Sequence, residues 1–239
     1  MHGRTRRLLR PCALCGLVAT ACGRLDFDPI DGRANTDAPA RPITHEQSFA
    51  NIVFSNSAAS ITVQAAATGD LLLLHSSCNG GTPSSVAVAA PGWSFVPVGP
   101  MFGASQFYAT SVAAYAPDTQ PVSVTATWNG TNCNTSLVIL ADEFGAAQLD
   151  GHVEAPGDAA SGCMSTITTA HDRAVLWGAC TTKGNVLAVG AGFTRGGEDG
   201  FNDWSEFKLT SDPAGTDELV SFDTDGFPTV LTAVALQPQ

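Results

Sequence analysis

Basic residues are scarce in this chain and unevenly placed. Of 239 residues only 11 are Lys or Arg, against 22 Asp or Glu, a formal net charge of -11. Seven of the eleven are arginines at positions 4, 6, 7, 10, 24, 33 and 41. From residue 42 onward only Arg173, Lys183, Arg195 and Lys208 remain, against eighteen acids. A body this acidic repels a polyanion, which excludes nucleic acid as a partner. Long hydrophobic runs are missing too. The run Pro11 to Ala21 has eleven residues, where about 20 are needed to cross a bilayer as a helix. No amphipathic helical periodicity of any length is present. Catalytic signatures are absent as well: no G-x-S-x-G elbow, no H-E-x-x-H, no phosphate-cradling glycine loop. His45, His75, His152 and His171 stand singly, the pattern of turn and surface residues. The apolar share of 44% is that of a globular chain. The length allows one large β domain or two small ones.

The arginine-rich start and the short apolar run after it have the order of a signal peptide. The run ends Val18-Ala19-Thr20-Ala21-Cys22-Gly23. This resembles the lipobox of bacterial lipoproteins, with Ala19 where that family more often has Leu. The resemblance implies cleavage before Cys22, a diacylglyceryl group on its sulfur and membrane attachment through that lipid. Gly23, rather than Asp, after the cysteine implies the outer membrane of a Gram-negative-type cell. Residues 1–21 are then a signal peptide and 22–45 a lipidated, flexible tether rich in Asp and Pro. Such a coil reaches roughly 25–30 Å.

The segment 46–239 reads as an all-β domain. Val122 to Trp128 alternates apolar and polar, the period of a strand with one face in water. Phe207 and Leu209 alternate with Glu206 and Lys208 in the same way. Leu71 to Leu74 and Leu137 to Leu140 are continuous apolar runs suited to central strands. Asn79-Gly80-Gly81, Asn129-Gly130, Gly196-Gly197 and Asp225-Gly226 are turn formers between them.

The halves of this segment echo one another, as pseudo-repeats over about 58–145 and 161–238. Gly69 to Cys78 answers His171 to Cys180, and Ala90-Pro91-Gly92-Trp93 answers Gly190-Ala191-Gly192-Phe193. Val122 to Thr127 answers Leu219 to Thr224, and Leu137 to Leu140 answers Leu231 to Val234. The Gly-Asp-Leu-Leu strand, the Pro-Gly-Trp turn, a Tyr-bearing strand and the closing Val-Ala-Leu-Gln-Pro resemble a bacterial secreted or envelope module. That resemblance covers about 47–238 and implies a jelly-roll-like antiparallel β-sandwich with no activity assigned to it. Two tandem sandwiches are the alternative arrangement.

Beyond Cys22, four cysteines remain, an even number that in an exported domain implies two disulfides. A hairpin turning at His171-Asp172 would set Cys163 opposite Cys180. Cys133 precedes a strand that could run antiparallel beside Leu71 to Cys78, which leaves Cys78 for Cys133. A zinc site from the four cysteines is the rival, but this segment has no C-x-x-C spacing.

Candidate ligand positions are few. Trp204 beside Asn202-Asp203, and Trp128 beside Asn129, have the composition of a sugar-stacking platform, whereas Trp93 and Trp177 read as core. The acid-rich stretch 198–225 suggests calcium at Asp217, Asp223 and Asp225, with a solvated acidic face as the bland reading. Asp142-Glu143 puts its carboxylates on opposite faces of a strand, which argues against a glycosidase pair. The expectation is a non-catalytic binding module for a glycan or surface ligand, without a cofactor unless calcium binds. A structural envelope protein without a ligand, or a glycoside hydrolase-like enzyme, is the alternative.

Overall fold

The computed structural model describes residues 41–98, 101–104, 106–157, 162–210, 212–225 and 228–239. The signal segment, Cys22 and the tether as far as residue 40 lie outside the described residues. The fold is all-β and antiparallel, with no helix among the described residues. Its first half runs through β1 (Thr44–Val53), β2 (Ala58–Val63), β3 (Leu71–Asn79), β4 (Ser85–Ala89), β5 (Val96–Pro97), β6 (Phe102–Ala104), β7 (Phe107–Tyr115), β8 (Val122–Asn129) and β9 (Ser136–Gly145). The second half runs through β10 (Ala147–Gly157), β11 (Cys163–Thr168), β12 (Val175–Thr182), β13 (Val186–Val189), β14 (Thr194–Glu198), β15 (Asp203–Leu209), β16 (Asp217–Thr224) and β17 (Thr229–Pro238).

Each half is a jelly roll. In the first, a large sheet ordered β1-β9-β3-β7, with β5 and β6 on the far side of β7, covers a small sheet ordered β2-β8-β4. In the second, β10-β17-β12-β15-β14 covers β11-β16-β13. Apart from β6, the two orders correspond strand for strand, and first strand beside last, then the third, is the wrapping of a double-sheet jelly roll. Gly92 and Gly192 hold equivalent turns with φ of 79° and 81°, left-handed values that favour glycine. One residue joins the halves: Ala146, at φ 54°, lies between β9 and β10. Its carbonyl accepts the Gln239 amide at 2.9 Å, so the C-terminus closes over the same joint.

The apolar runs explain the stacking. Even-numbered residues of β3 (Leu72, Leu74, Cys78) pack against the small sheet with Ile61, Val124, Ala126 and Trp128. Odd-numbered ones (Leu71, Leu73) pack against Val175, Trp177, Ala179, Phe207, Val234 and Leu236 of the second half. A third cluster, Leu176, Cys180, Val220, Phe222 and Leu231, fills the second half itself. The four sheets therefore form four layers, small–large–large–small. The central strands of the inner two layers, β3, β9, β12 and β17, are buried on both faces, which is why Leu71 to Leu74 and Leu137 to Leu140 are continuous apolar runs. Each fully buried Leu contributes on the order of 2 kcal/mol. Strands of the outer layers keep one face in water, as the alternation in β8 and β16 requires.

Two expectations need adjustment. The fold begins before residue 46: Ile43 is buried, and the His45 ring in β1 stacks on Phe207 at 3.9 Å between centroids. The disulfides are Cys78–Cys133 and Cys163–Cys180, but the hairpin invoked for the second does not form. Strand β11 pairs with β16 and belongs to the small sheet, while β12 is central in the large one. Cys163–Cys180 thus ties the two sheets of its half across the core. Cys78 pairs with Leu137 in the β3–β9 ladder, four residues beyond Cys133, so the strand after Cys133 does run antiparallel beside Leu71 to Cys78.

Candidate functional site

The layer between the two large sheets changes character along its length. At one end it is the apolar cluster around Leu71, Leu73, Phe144 and Trp177. Further along, the same faces of the same strands carry His75, Ser77 and Asn79 on β3, Ser111 on β7, Asp142 on β9, Thr181 on β12, and Asp203 and Ser205 on β15, all buried. Polar groups removed from water must find partners or pay a desolvation penalty; His75, Asp142 and Thr181 find them across the junction between halves, and most of the others within their own half.

Four side chains form a relay. His75 Nδ1 lies 3.0 Å from Ser111 Oγ, and His75 Nε2 lies 2.8 Å from Thr181 Oγ1. The Thr181 hydroxyl donates to Asp203 Oδ1. With its proton spent on Asp203, Thr181 accepts from Nε2–H, so Nδ1 accepts from Ser111. Burial lowers the His75 pKa from 6.5 to about 3, and the ring is neutral. Burial, and then the charge of Asp199, raises Asp203 from 3.8 to about 8, against the opposing effect of Ser77 and Thr181 hydroxyls.

A second polar group crosses the same plane. The Trp177 indole donates to Asp142 Oδ2 at 2.7 Å, and Ser48 donates to Asp142 Oδ1. His45 Nε2 lies 3.5 Å from that oxygen. Gly196 of β14 permits the close approach: a Cβ there would lie 2.5 Å from Asp142 Oδ1 and 2.6 Å from Ser205 Oγ. The neighbouring Glu143 points to the other face, where Gln47 and the Ala66 amide donate to it. The two carboxylates are on opposite faces, as the sequence reading held. Another buried carboxylate, Glu206, faces the small sheet of its own half. It accepts from the amides of Gly190 (2.7 Å) and Ser221 (3.3 Å), and burial raises its pKa from 4.5 to about 7.

Hydroxyl, imidazole, hydroxyl and carboxylate in sequence have the composition of a nucleophilic relay. Yet all four side chains have no exposed surface. Two surface concavities, one around Phe49, Asn51, Ser60 and Thr62, the other around Arg41, Ile43, Arg173 and Leu209, are lined by none of them. The relay is a polar seam between the halves, closed to substrate.

The sequence-predicted positions fare differently. Trp128 is fully buried and donates to Ser76 Oγ at 3.0 Å, so it offers no face to a sugar. Asp203 is turned inward to Thr181 rather than outward. Trp204 is half-buried beneath the Arg195 guanidinium, 4.9 Å from the ring centroid, and Asn202 beside it is half-buried. The aromatic platform is therefore not assembled. Asp223 and Asp225 lie at one end of β16 and Asp217 at the other, about 20 Å away at the rise of a strand. Asp217 instead accepts from Thr168, and Asp225 accepts from Asn185. These three cannot share one ion, and among the described residues no group of three or more His, Cys, Asp or Glu is placed to hold a metal. His75, expected at a turn or surface, sits inside β3. The signal for it was the run Leu71 to Leu74, which marks a strand buried on both faces and continues through His75. No protein-family model, curated protein or solved structure matches this chain.

Proposed function

We propose that this chain is a lipid-anchored protein of a Gram-negative-type cell envelope, attached to the outer membrane through Cys22, whose folded part is a non-catalytic recognition module for a glycan or another surface ligand. The observation that carries the non-catalytic reading is the enclosure of Ser111, His75, Thr181 and Asp203. Among the described residues this chemically suggestive constellation is fully buried. Two disulfides support an oxidising compartment. The signal-like N-terminus and the lipobox resemblance support the anchor.

The surface that fits recognition best is the outer face of β2-β8-β4. It presents Ser60, Thr62, Ser85, Ser123, Thr125 and Thr127, with no charged side chain on these strands. Ser60 Oγ and Thr125 Oγ1 meet at 2.7 Å. In a chain so acidic, an uncharged, flat, hydroxyl-rich face suits a neutral polyhydroxyl ligand. It replaces the Trp128 platform, since Trp128 lies beneath this sheet. A glycan array probed with the full chain tests the reading, with Thr125→Lys as the variant. Binding that the variant loses supports recognition at this face. Silence from a folded chain leaves the structural reading, a module without a ligand.

A further inference from the structure

Among the described residues six buried side-chain atoms lack a hydrogen-bond partner, and four of them are oxygens at the polar end of the inter-sheet layer: Ser77 Oγ, Asn79 Oδ1, Asp199 Oδ2 and Asp203 Oδ2. Ser77 and Asn79 are successive residues on one face of β3, and both are fully buried. Asp203 opens β15 directly beyond the loop that holds Asp199. The Ser77 hydroxyl lies beside the Asp203 carboxylate, close enough to act on it yet outside hydrogen-bonding geometry. The charge of Asp199 is felt at the same carboxylate.

Each carboxylate has one oxygen engaged and one left over. Asp199 Oδ1 accepts from the amides of Phe201 (2.8 Å) and Asp203 (3.1 Å), and Asp203 Oδ1 accepts from Thr181. Neither has an ion-pair partner among the described residues. Arg195 on the adjoining β14 is taken by Glu198 at 2.7 Å and by the Trp204 ring. Two neighbouring buried acids with no basic partner repel one another when both are ionised, and a bound cation removes that repulsion. The donors left over are all oxygens, two from carboxylates and two neutral, the set a hard cation takes. A softer metal finds no ligand here: both nitrogens of His75 are occupied, and all four cysteines of the described residues are in disulfides. The loop between β14 and β15 that carries Asp199 is itself at the surface, with Gly200 and Phe201 exposed.

We propose that Asp199 and Asp203, with Ser77 beside them and Asn79 next along the same face of β3, form a Ca2+ site that ties the β14–β15 loop of the second half to β3 of the first. It stands independently of the anchoring and recognition readings, and it is not the trio at 217, 223 and 225.

The test uses the full chain in detergent, stripped with EDTA and titrated with CaCl2 while thermal unfolding is followed. At a concentration about a hundredfold above the dissociation constant, Tm rises by roughly 5–10 °C. In Asp199→Asn and Asp203→Asn that rise disappears. Tb3+ bound at the same place emits on excitation of Trp204, the residue after Asp203, and CaCl2 displaces it. This second readout needs only the unmodified chain, so it decides the matter even where a variant does not fold. A chain whose Tm ignores CaCl2, or that shows no Ca2+-displaceable Tb3+ emission, overturns the proposal. So does a rise that survives both substitutions, or one reproduced by MgCl2 or by NaCl at equal ionic strength.

Discussion

His75 Nε2 of the first jelly roll lies 2.8 Å from Thr181 Oγ1 of the second, with both side chains fully enclosed between the two large sheets. The pair joins the halves by a hydrogen bond at the place where the apolar packing of Leu71 and Leu73 has run out. Thr181 serves both sides, accepting from the imidazole and donating to Asp203.

Thr181→Val keeps the shape and removes the hydroxyl, leaving His75 Nε2 and Asp203 Oδ1 without partners. Each buried group so orphaned costs about 1–3 kcal/mol. The variant is expected to lose about 2–5 kcal/mol in urea unfolding, while Thr181→Ser stays near the parent. A loss below about 0.5 kcal/mol for Thr181→Val would show that the seam bears no weight.

Glu206 gives the fold a pH dependence with a definite sign. Its pKa is about 7 in the folded chain against 4.5 ordinarily, because burial disfavours the charged form. Its stabilising contribution is therefore complete below about 4.5 and is lost as pH rises through about 7. Urea unfolding in EDTA at pH 5 and pH 8 is expected to show a loss of a few kcal/mol from this group. In Glu206→Gln the loss is smaller. Equal losses in the two chains would remove Glu206 as the cause.

The disulfides differ in what they close, with sequence separations of 55 for Cys78–Cys133 and 17 for Cys163–Cys180. Loop-closure entropy puts the longer at about 4 kcal/mol and the shorter at about 3 kcal/mol. Replacing each pair by alanine should therefore lower Tm more for Cys78–Cys133. The reverse order would mean that the tie between β11 and β12, across the core, matters more than the loop it closes.

Much of the fold was legible because burial leaves a period in the sequence. Val122 to Trp128 alternates since one face of β8 meets water. Leu71 to Leu74 and Leu137 to Leu140 do not, since β3 and β9 are covered twice. The strand-by-strand echo of the halves was equally visible in the matched turns at Gly92 and Gly192. The same alternation already put Trp128 on the apolar side with Val124 and Ala126, and only its neighbour Asn129 suggested a sugar platform. What local pattern cannot carry is which sheets face each other. For that reason His75 reads from sequence as a surface residue, its partners Ser111 and Thr181 being 36 and 106 positions away. Cys163 and Cys180 are joined although the hairpin that would set them opposite each other does not form. The calcium trio failed on simple length, since three acids spread along one strand cannot converge. Asp199 and Asp203, four residues apart across a loop, can.

The most direct test of the envelope reading is membrane fractionation of cells expressing the chain and its Cys22→Ala variant, with the intact mass of the N-terminal peptide. The account predicts that the parent chain sediments with outer membranes and carries acyl mass on Cys22, while the variant is released. A variant that still sediments with the membrane, or a parent peptide without acyl mass, would contradict it.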